Sequence, residues 1–260
     1  MYIFSSLFII PVTLFVSPGA KLTYHYYHNI RKYGKVKAIW ATYLNHCIFS
    51  QTVIDRFAMF AGKKYKVNYY GFDYYKSLQE NSAGFIQLGA HIGCSEIIGY
   101  STPVSKTCNV LAYGGEKESL MKMRKCSFAN MNIKILPVGF GNTNSEDIVE
   151  ALERGEIINV FADRMFNKHK AVISSLHGNS IRLSKGAFSL AAIRELDVVM
   201  ICGMKEKDGS YSAYIKPLSY DKTLPTKAKI QELADAYTKE IDRLMEIYPL
   251  QWFNYFNIWN

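Results

Sequence analysis

Between Met1 and Ala20 the chain has no Asp, Glu, Lys or Arg, and through residue 70 its only acid is Asp55. Its five cysteines, Cys47, Cys94, Cys108, Cys126 and Cys202, contain no CxxC pair and no tight cluster. That spacing argues against a disulfide scaffold or zinc ribbon and fits a reducing compartment. Neither the 17 glycines nor the 7 prolines dominate any segment, which excludes collagen-like and low-complexity architectures. There is no G-x-S-x-G turn, so a serine α/β-hydrolase is disfavoured. Gly114-Gly115 and Gly139-Phe-Gly141 form neither a phosphate loop nor a dinucleotide fingerprint. No repeat, charge block or Ser/Gly/Pro linker divides the chain, and nothing calls for a metal or other cofactor. At 260 residues, 49% apolar and 20% charged, it can bury a full core without staples.

The net charge of +9 is concentrated near the start. Residues 1 to 70 carry nine basic side chains (Lys21, Arg31, Lys32, Lys35, Lys37, Arg56, Lys63, Lys64 and Lys66) against Asp55, a net of +8, and the other 190 residues are nearly neutral. Such a region suits nucleic acid, an anionic membrane surface or an acidic protein. The apolar run Tyr2-Ile3-Phe4, Leu7-Phe8-Ile9-Ile10, Leu14-Phe15-Val16 favours the membrane over nucleic acid, because no nucleic-acid reading motif accompanies it. The run is at the lower limit for a span, Pro11 interrupts it and Pro18-Gly19 closes it, so an interfacial helix and a true span both fit. A core helix of a soluble domain is the third possibility. A secretory signal fits less well, since no basic residue precedes the run. Tyr24, Tyr26, Tyr27 and Tyr33, interleaved with the basic residues that follow, suit a headgroup layer. Residues 1–20 therefore read as a membrane-associating segment and 21–260 as a single domain.

Along that domain short apolar runs alternate with helical stretches. Helices are expected over Val36–Phe60, Ser95–Tyr100, Glu116–Phe128, Ser145–Arg154, Ser184–Glu195 and Thr226–Tyr248. Buried strands are expected at Gly84–Gly89, Cys108–Ala112, Ile133–Leu136, Ile157–Phe161 and Val198–Cys202. The alternation predicts an α/β fold, a mixed, largely parallel sheet flanked by helices on both faces.

The segment Leu88-Gly-Ala-His91-Ile-Gly-Cys-Ser-Glu96 puts a histidine at the end of an expected buried strand and an acid five residues later. With His91 in the turn and Glu96 in the first helical turn, the carboxylate can fold back onto the imidazole and fix its tautomer. The other ring nitrogen is then left to take a proton from an acceptor hydroxyl. The plain alternative is a histidine bonding a helix terminus. Asp163-Arg164 follows another expected strand. Asp163 can support the site and Arg164 can hold a phosphate or carrier group; a structural ion pair closing the strand is the alternative. Cys94 lacks an activating base and reads as a small buried filler. His169 and His177 lack matching ligands and read as surface or loop groups. Trp252, Tyr255, Phe256 and Trp259 would share one face of a helix.

The string around His91 and Glu96 resembles the HxxxxE/D motif of the lysophospholipid acyltransferase superfamily. Further blocks resemble its lipid A late (secondary) acyltransferase branch, in particular Bacteroidetes-like members: Ala41–His46 through Val53–Arg56, Gly155–Arg164, Leu176–Ser180, Gly186–Ala191, Val198–Gly209 and the aromatic ending Gln251–Trp259. The resemblance implies a membrane-associated transferase at the cytoplasmic face of a bacterial inner membrane, monotopic or single-span. It would move a fatty acyl group from an acyl carrier protein or CoA thioester to a hydroxyl or amine of a lipid. It further implies His91 as general base, Glu96 as its orienting partner and Asp163 and Arg164 as substrate-binding residues, with no acyl-enzyme. The E-G-T-R phosphate motif of the glycerol-phosphate acyltransferases is missing. A thioesterase on the same scaffold and a non-catalytic basic membrane-binding protein are the competing expectations.

Overall fold

The structure is a computed structural model and describes residues 1–113, 131–138, 145–165 and 170–259. The expected helix Glu116–Phe128, both glycine pairs, Cys126 and His169 lie outside the described residues. The chain opens with two helices, α1 (Tyr2–Val16) and α2 (Pro18–Ile30), bent by 89° where Ser17 caps Pro18-Gly19. Then come α3 (Lys35–Phe60), β1 (Val67–Tyr70), α4 (Phe72–Glu80), β2 (Phe85–Gly89), α5 (Ser95–Ser101), β3 (Cys108–Tyr113) and β4 (Ile133–Val138). After these run α6 (Ser145–Glu153), β5 (Ile157–Phe161), β6 (Ala171–Leu176), β7 (Asn179–Ser184), α7 (Lys185–Arg194), β8 (Val198–Lys205), β9 (Tyr211–Pro217) and α8 (Thr226–Ile247).

Seven strands form one sheet in the order β1-β9-β8-β2-β5-β3-β4, and every neighbouring pair is parallel except β8 with β9. β6 and β7 make a separate hairpin. The architecture is thus mixed α/β with a mostly parallel sheet between helices. Its centre follows from composition: all eight residues of β8 are buried, and β2 and β5 carry Phe85, Ile86, Leu88, Ile157 and Ile158 into the core. A parallel strand covered on both faces needs such an unbroken apolar run. α8 covers the sheet with Ile230, Leu233, Tyr237, Ile241 and Leu244, spaced to share one helical face.

Among the described residues no single helix is long and apolar enough to cross a membrane; α1 and α2 pass only when taken together. α1 runs antiparallel along α3. Its Tyr2 hydroxyl donates to Asp55, Ser5 and Ser50 share a hydrogen bond, and Tyr43 donates to the Ser6 carbonyl at 3.1 Å. The C-terminal residues differ from expectation. Trp252 to Trp259 do not form a helix but an extended strap, with bridges Ile92 to Trp252 and Ile181 to Trp259. Backbone pairing to the rest of the fold replaces the intrahelical bonds that a short, aromatic, alanine-free segment would have made poorly.

Asp55 is 1% exposed and pairs with Lys205, itself 7% exposed. Tyr211 and Tyr65 add hydroxyl bonds of 2.7 and 2.9 Å to the same carboxylate. Burial by itself would raise the Asp55 carboxyl, but Lys205 and the tyrosine hydroxyls outweigh it and hold it below the ordinary carboxylate value. Replacing one partner leaves an uncompensated buried charge. Lys205→Ala is therefore expected to cost about 3–5 kcal/mol in urea unfolding, and a cost under about 1 kcal/mol, typical of a surface pair, would contradict this.

Candidate active site

β2 and β5 are adjacent and parallel, with Gly89 opposite Phe161. His91 and Asp163 each lie two residues beyond that pair, so the register brings them level at the carboxyl end of the sheet. Open α/β sheets place their ligand sites at this end. The Asp163 carboxylate accepts two hydrogen bonds from His91, one from its backbone N–H to Oδ2 and one from ring Nδ1 to Oδ1, both 2.7 Å. Asp163 is 2% exposed and the His91 ring 26%. Gly89 leaves room for the same geometry: a Cβ there would come 3.0 Å from the Phe161 ring and press on it, and that ring packs 5.0 Å from the His91 ring.

Burial alone would raise the Asp163 carboxyl. The charge and hydrogen bonds of His91, together with the charge of Arg164, outweigh it and keep the group below its ordinary range. An ionised carboxylate only accepts, so Nδ1 carries a proton, and in the neutral form of the ring the lone pair lies on Nε2. Among the described residues nothing hydrogen-bonds Nε2, which leaves it available to a substrate proton.

This arrangement corrects the expected pairing. Glu96 does not orient His91; its carboxylate is 2.9 Å from the Arg56 guanidinium and ties the start of α5 to α3. The helical path carries Glu96 away from a ring already turned toward β5. Asp163, expected as a supporting residue, is instead the partner of the histidine. Arg164 beside it lies over the Phe256 ring at 4.5 Å and reaches the Phe253 carbonyl at 3.4 Å.

The turn after His91 is fixed from both sides. Phe253 N–H donates to the His91 carbonyl at 2.7 Å and Gly93 N–H to the Gln251 carbonyl at 2.9 Å. Cys94 N–H donates to the Gly203 carbonyl at 2.6 Å. The N–H groups of residues 91, 93 and 94 are thus committed, and a developing oxyanion has to be met elsewhere. Gly93 has φ +58°, and a Cβ there would overlap the Gly203 carbonyl. The strap itself is held by the Gln251 side chain on the backbone of Lys205 (2.9 and 2.7 Å) and by Asn45 on the Trp252 carbonyl (2.9 Å). Asn254 bonds the Asp163 carbonyl at 3.0 Å. Sequence alone does not mark Gln251, Asn254 and Asn45 as site residues: Gln251 and Asn254 are polar residues within an aromatic ending, and Asn45 sits inside the long helical stretch that becomes α3.

Cys94 is buried, and burial pushes its thiol up to about 11, which disfavours a thiolate nucleophile at neutral pH. His177 is held by Asp242 at 2.6 Å and by the Tyr26 hydroxyl at 2.9 Å, where α2, the β6–β7 turn and α8 meet. Among the described residues no three His, Cys, Asp or Glu side chains are arranged to hold a metal. In comparisons with known proteins the chain matches no protein-family model and no curated protein.

Because the Asp163 carboxyl is held below its ordinary value, its stabilising contribution is complete above about pH 4, the usual unfolded value. It is lost as pH falls from there through the lower folded value. Urea unfolding measured between pH 6 and pH 3, about the window that linkage sets, should show stability falling less steeply for Asp163→Asn than for the native chain. Identical slopes would remove this pair from the acid response.

Proposed function

We propose that the protein is an acyltransferase that moves a fatty acyl group from an acyl thioester, carried by acyl carrier protein or CoA, to a hydroxyl or amine of a lipid. The reaction is assigned to the cytoplasmic face of a bacterial inner membrane. The observation that carries the reading is the His91–Asp163 pair at the carboxyl end of the sheet, with Nε2 available for proton transfer. The motif resemblance around His91 and in Gly155–Arg164 supplies the reaction class.

In this mechanism Nε2 removes the acceptor proton as the acceptor oxygen or nitrogen attacks the thioester carbonyl. Asp163 takes the Nδ1–H hydrogen bond and stabilises the imidazolium that forms. The tetrahedral intermediate collapses, the C–S bond breaks, and the imidazolium returns the proton to the departing thiolate. The products are the acylated lipid and the free thiol, and no acyl-enzyme is needed. Arg164, fixed between Phe253 and Phe256, is assigned to an anionic group of donor or acceptor. Glu96 and Arg56 act on position, holding α5 against α3 behind the turn.

The test is incubation of detergent-solubilised protein with a total lipid extract and a radiolabelled acyl thioester, of acyl carrier protein in one assay and of CoA in the other. The native chain should produce a labelled lipid, and His91→Ala should lower the rate by about 10²- to 10⁴-fold, the usual worth of a general base. Free fatty acid as the sole product would replace the proposal with a thioesterase. No turnover with either thioester would leave a binding protein.

A further inference from the structure

A surface helix of a water-soluble domain turns its polar side chains outward and its apolar ones inward. α1 does the reverse. Every exposed residue from Met1 to Val16 is apolar, with Phe8 63% and Phe15 92% exposed, whereas Tyr2, Ser5, Ser6 and Thr13 are buried or half-buried. The hydroxyls of Tyr2 and Ser5 are spent on Asp55 and Ser50 of α3. The antiparallel packing sets the far end of α1 beside the start of α3, where Val36 and Trp40 are likewise exposed. Together they make one apolar face about 22 Å long, from the rise of 15 helical residues.

Charge frames this face at both ends. Lys63, Lys64 and Lys66 are exposed near the Tyr2 end, where Tyr65 shares the Asp55 carboxylate with Tyr2. Lys21, Lys32, Lys35 and Lys37 are exposed near the Val16 end. A helix crossing a bilayer would separate these two groups by the full hydrocarbon thickness. A helix lying in the surface plane places both in one headgroup layer while its apolar residues enter the acyl boundary. A second copy would suit the face poorly, because either direction of pairing sets basic clusters against basic clusters.

We propose that α1 and the first turns of α3 form one in-plane docking face for an anionic lipid surface, with Phe4, Phe8, Phe15, Val36 and Trp40 inserted and the flanking lysines on lipid phosphates. The face gives the acyltransferase reading its membrane partner, but its test involves no turnover, so the two fail separately. The full chain is titrated with vesicles of phosphatidylethanolamine and phosphatidylglycerol, and with vesicles of phosphatidylcholine, while tryptophan emission is followed. Trp40→Phe identifies the Trp40 signal, since Trp252 and Trp259 are more enclosed. The expected result is a blue shift of Trp40, quenching by shallowly brominated lipid, and preference for the anionic vesicles. Phe8→Glu and Phe15→Glu should each weaken vesicle binding at least about tenfold, with the urea midpoint unchanged because both side chains are exposed. The proposal is overturned if Trp40 of the bound native chain is unquenched, if both vesicle types bind equally, or if both glutamate variants bind like the native chain. It is also overturned if the native chain ignores vesicles and sediments as a dimer that these variants disrupt.

Discussion

Two hydrogen bonds to one buried carboxylate organise the carboxyl end of the sheet. Asp163 accepts from the backbone and from the ring of His91, so a single side chain fixes both the turn after β2 and the orientation of the imidazole. A buried ionised carboxylate is costly unless it is fully bonded. The surroundings provide for this: the His91 and Arg164 charges oppose desolvation, and the strap closes over the site through Phe253 and Asn254. Keeping that carboxylate dry and the ring level with it also needs the tight turn in which Gly93 lies against Gly203.

A second buried carboxylate, Asp55, ties the periphery to this centre. Lys205 pairs with Asp55 at the end of β8, and the backbone of the same lysine holds Gln251, whose carbonyl receives Gly93 N–H. Tyr2 reaches the same carboxylate from α1. A continuous set of hydrogen bonds therefore joins the exposed apolar helix, α3, the sheet end, the strap and the histidine turn. α3 contributes twice over, since the next residue, Arg56, holds Glu96.

The sequence made the repeating apolar runs of β2, β5 and β8 legible, together with α3 and α8, because full burial in a parallel sheet leaves an unbroken hydrophobic signature. β9, β1 and the β6–β7 hairpin escaped notice. Their residues alternate or mix polar with apolar, as in Ala171–Leu176, where burial is every second residue. His91 and Asp163 were both recognisable as polar residues closing apolar strands. Their partnership was not, because it depends on β2 and β5 being neighbours in register, a long-range fact with no local signal. Spacing along the chain pointed to Glu96, five residues away, where the fold had placed Asp163, seventy-two residues away, at hydrogen-bond distance. The strap reads as a helix in the sequence for a related reason: its extended form is set by the partners it meets at residues 91–93 and 181–182.

The measurement that bears most directly on this account is a double-mutant cycle on acyl transfer, combining His91→Ala with Asp163→Asn and, separately, with Glu96→Gln. Residues that act as one unit are non-additive. Asp163→Asn is expected to cost almost nothing further once His91 is gone. Glu96→Gln, in the native background, is expected to be much milder than either dyad variant. A cycle in which Glu96→Gln matches His91→Ala and is silent after it, while Asp163→Asn stays active, would contradict the assignment of Asp163 as the partner of the base.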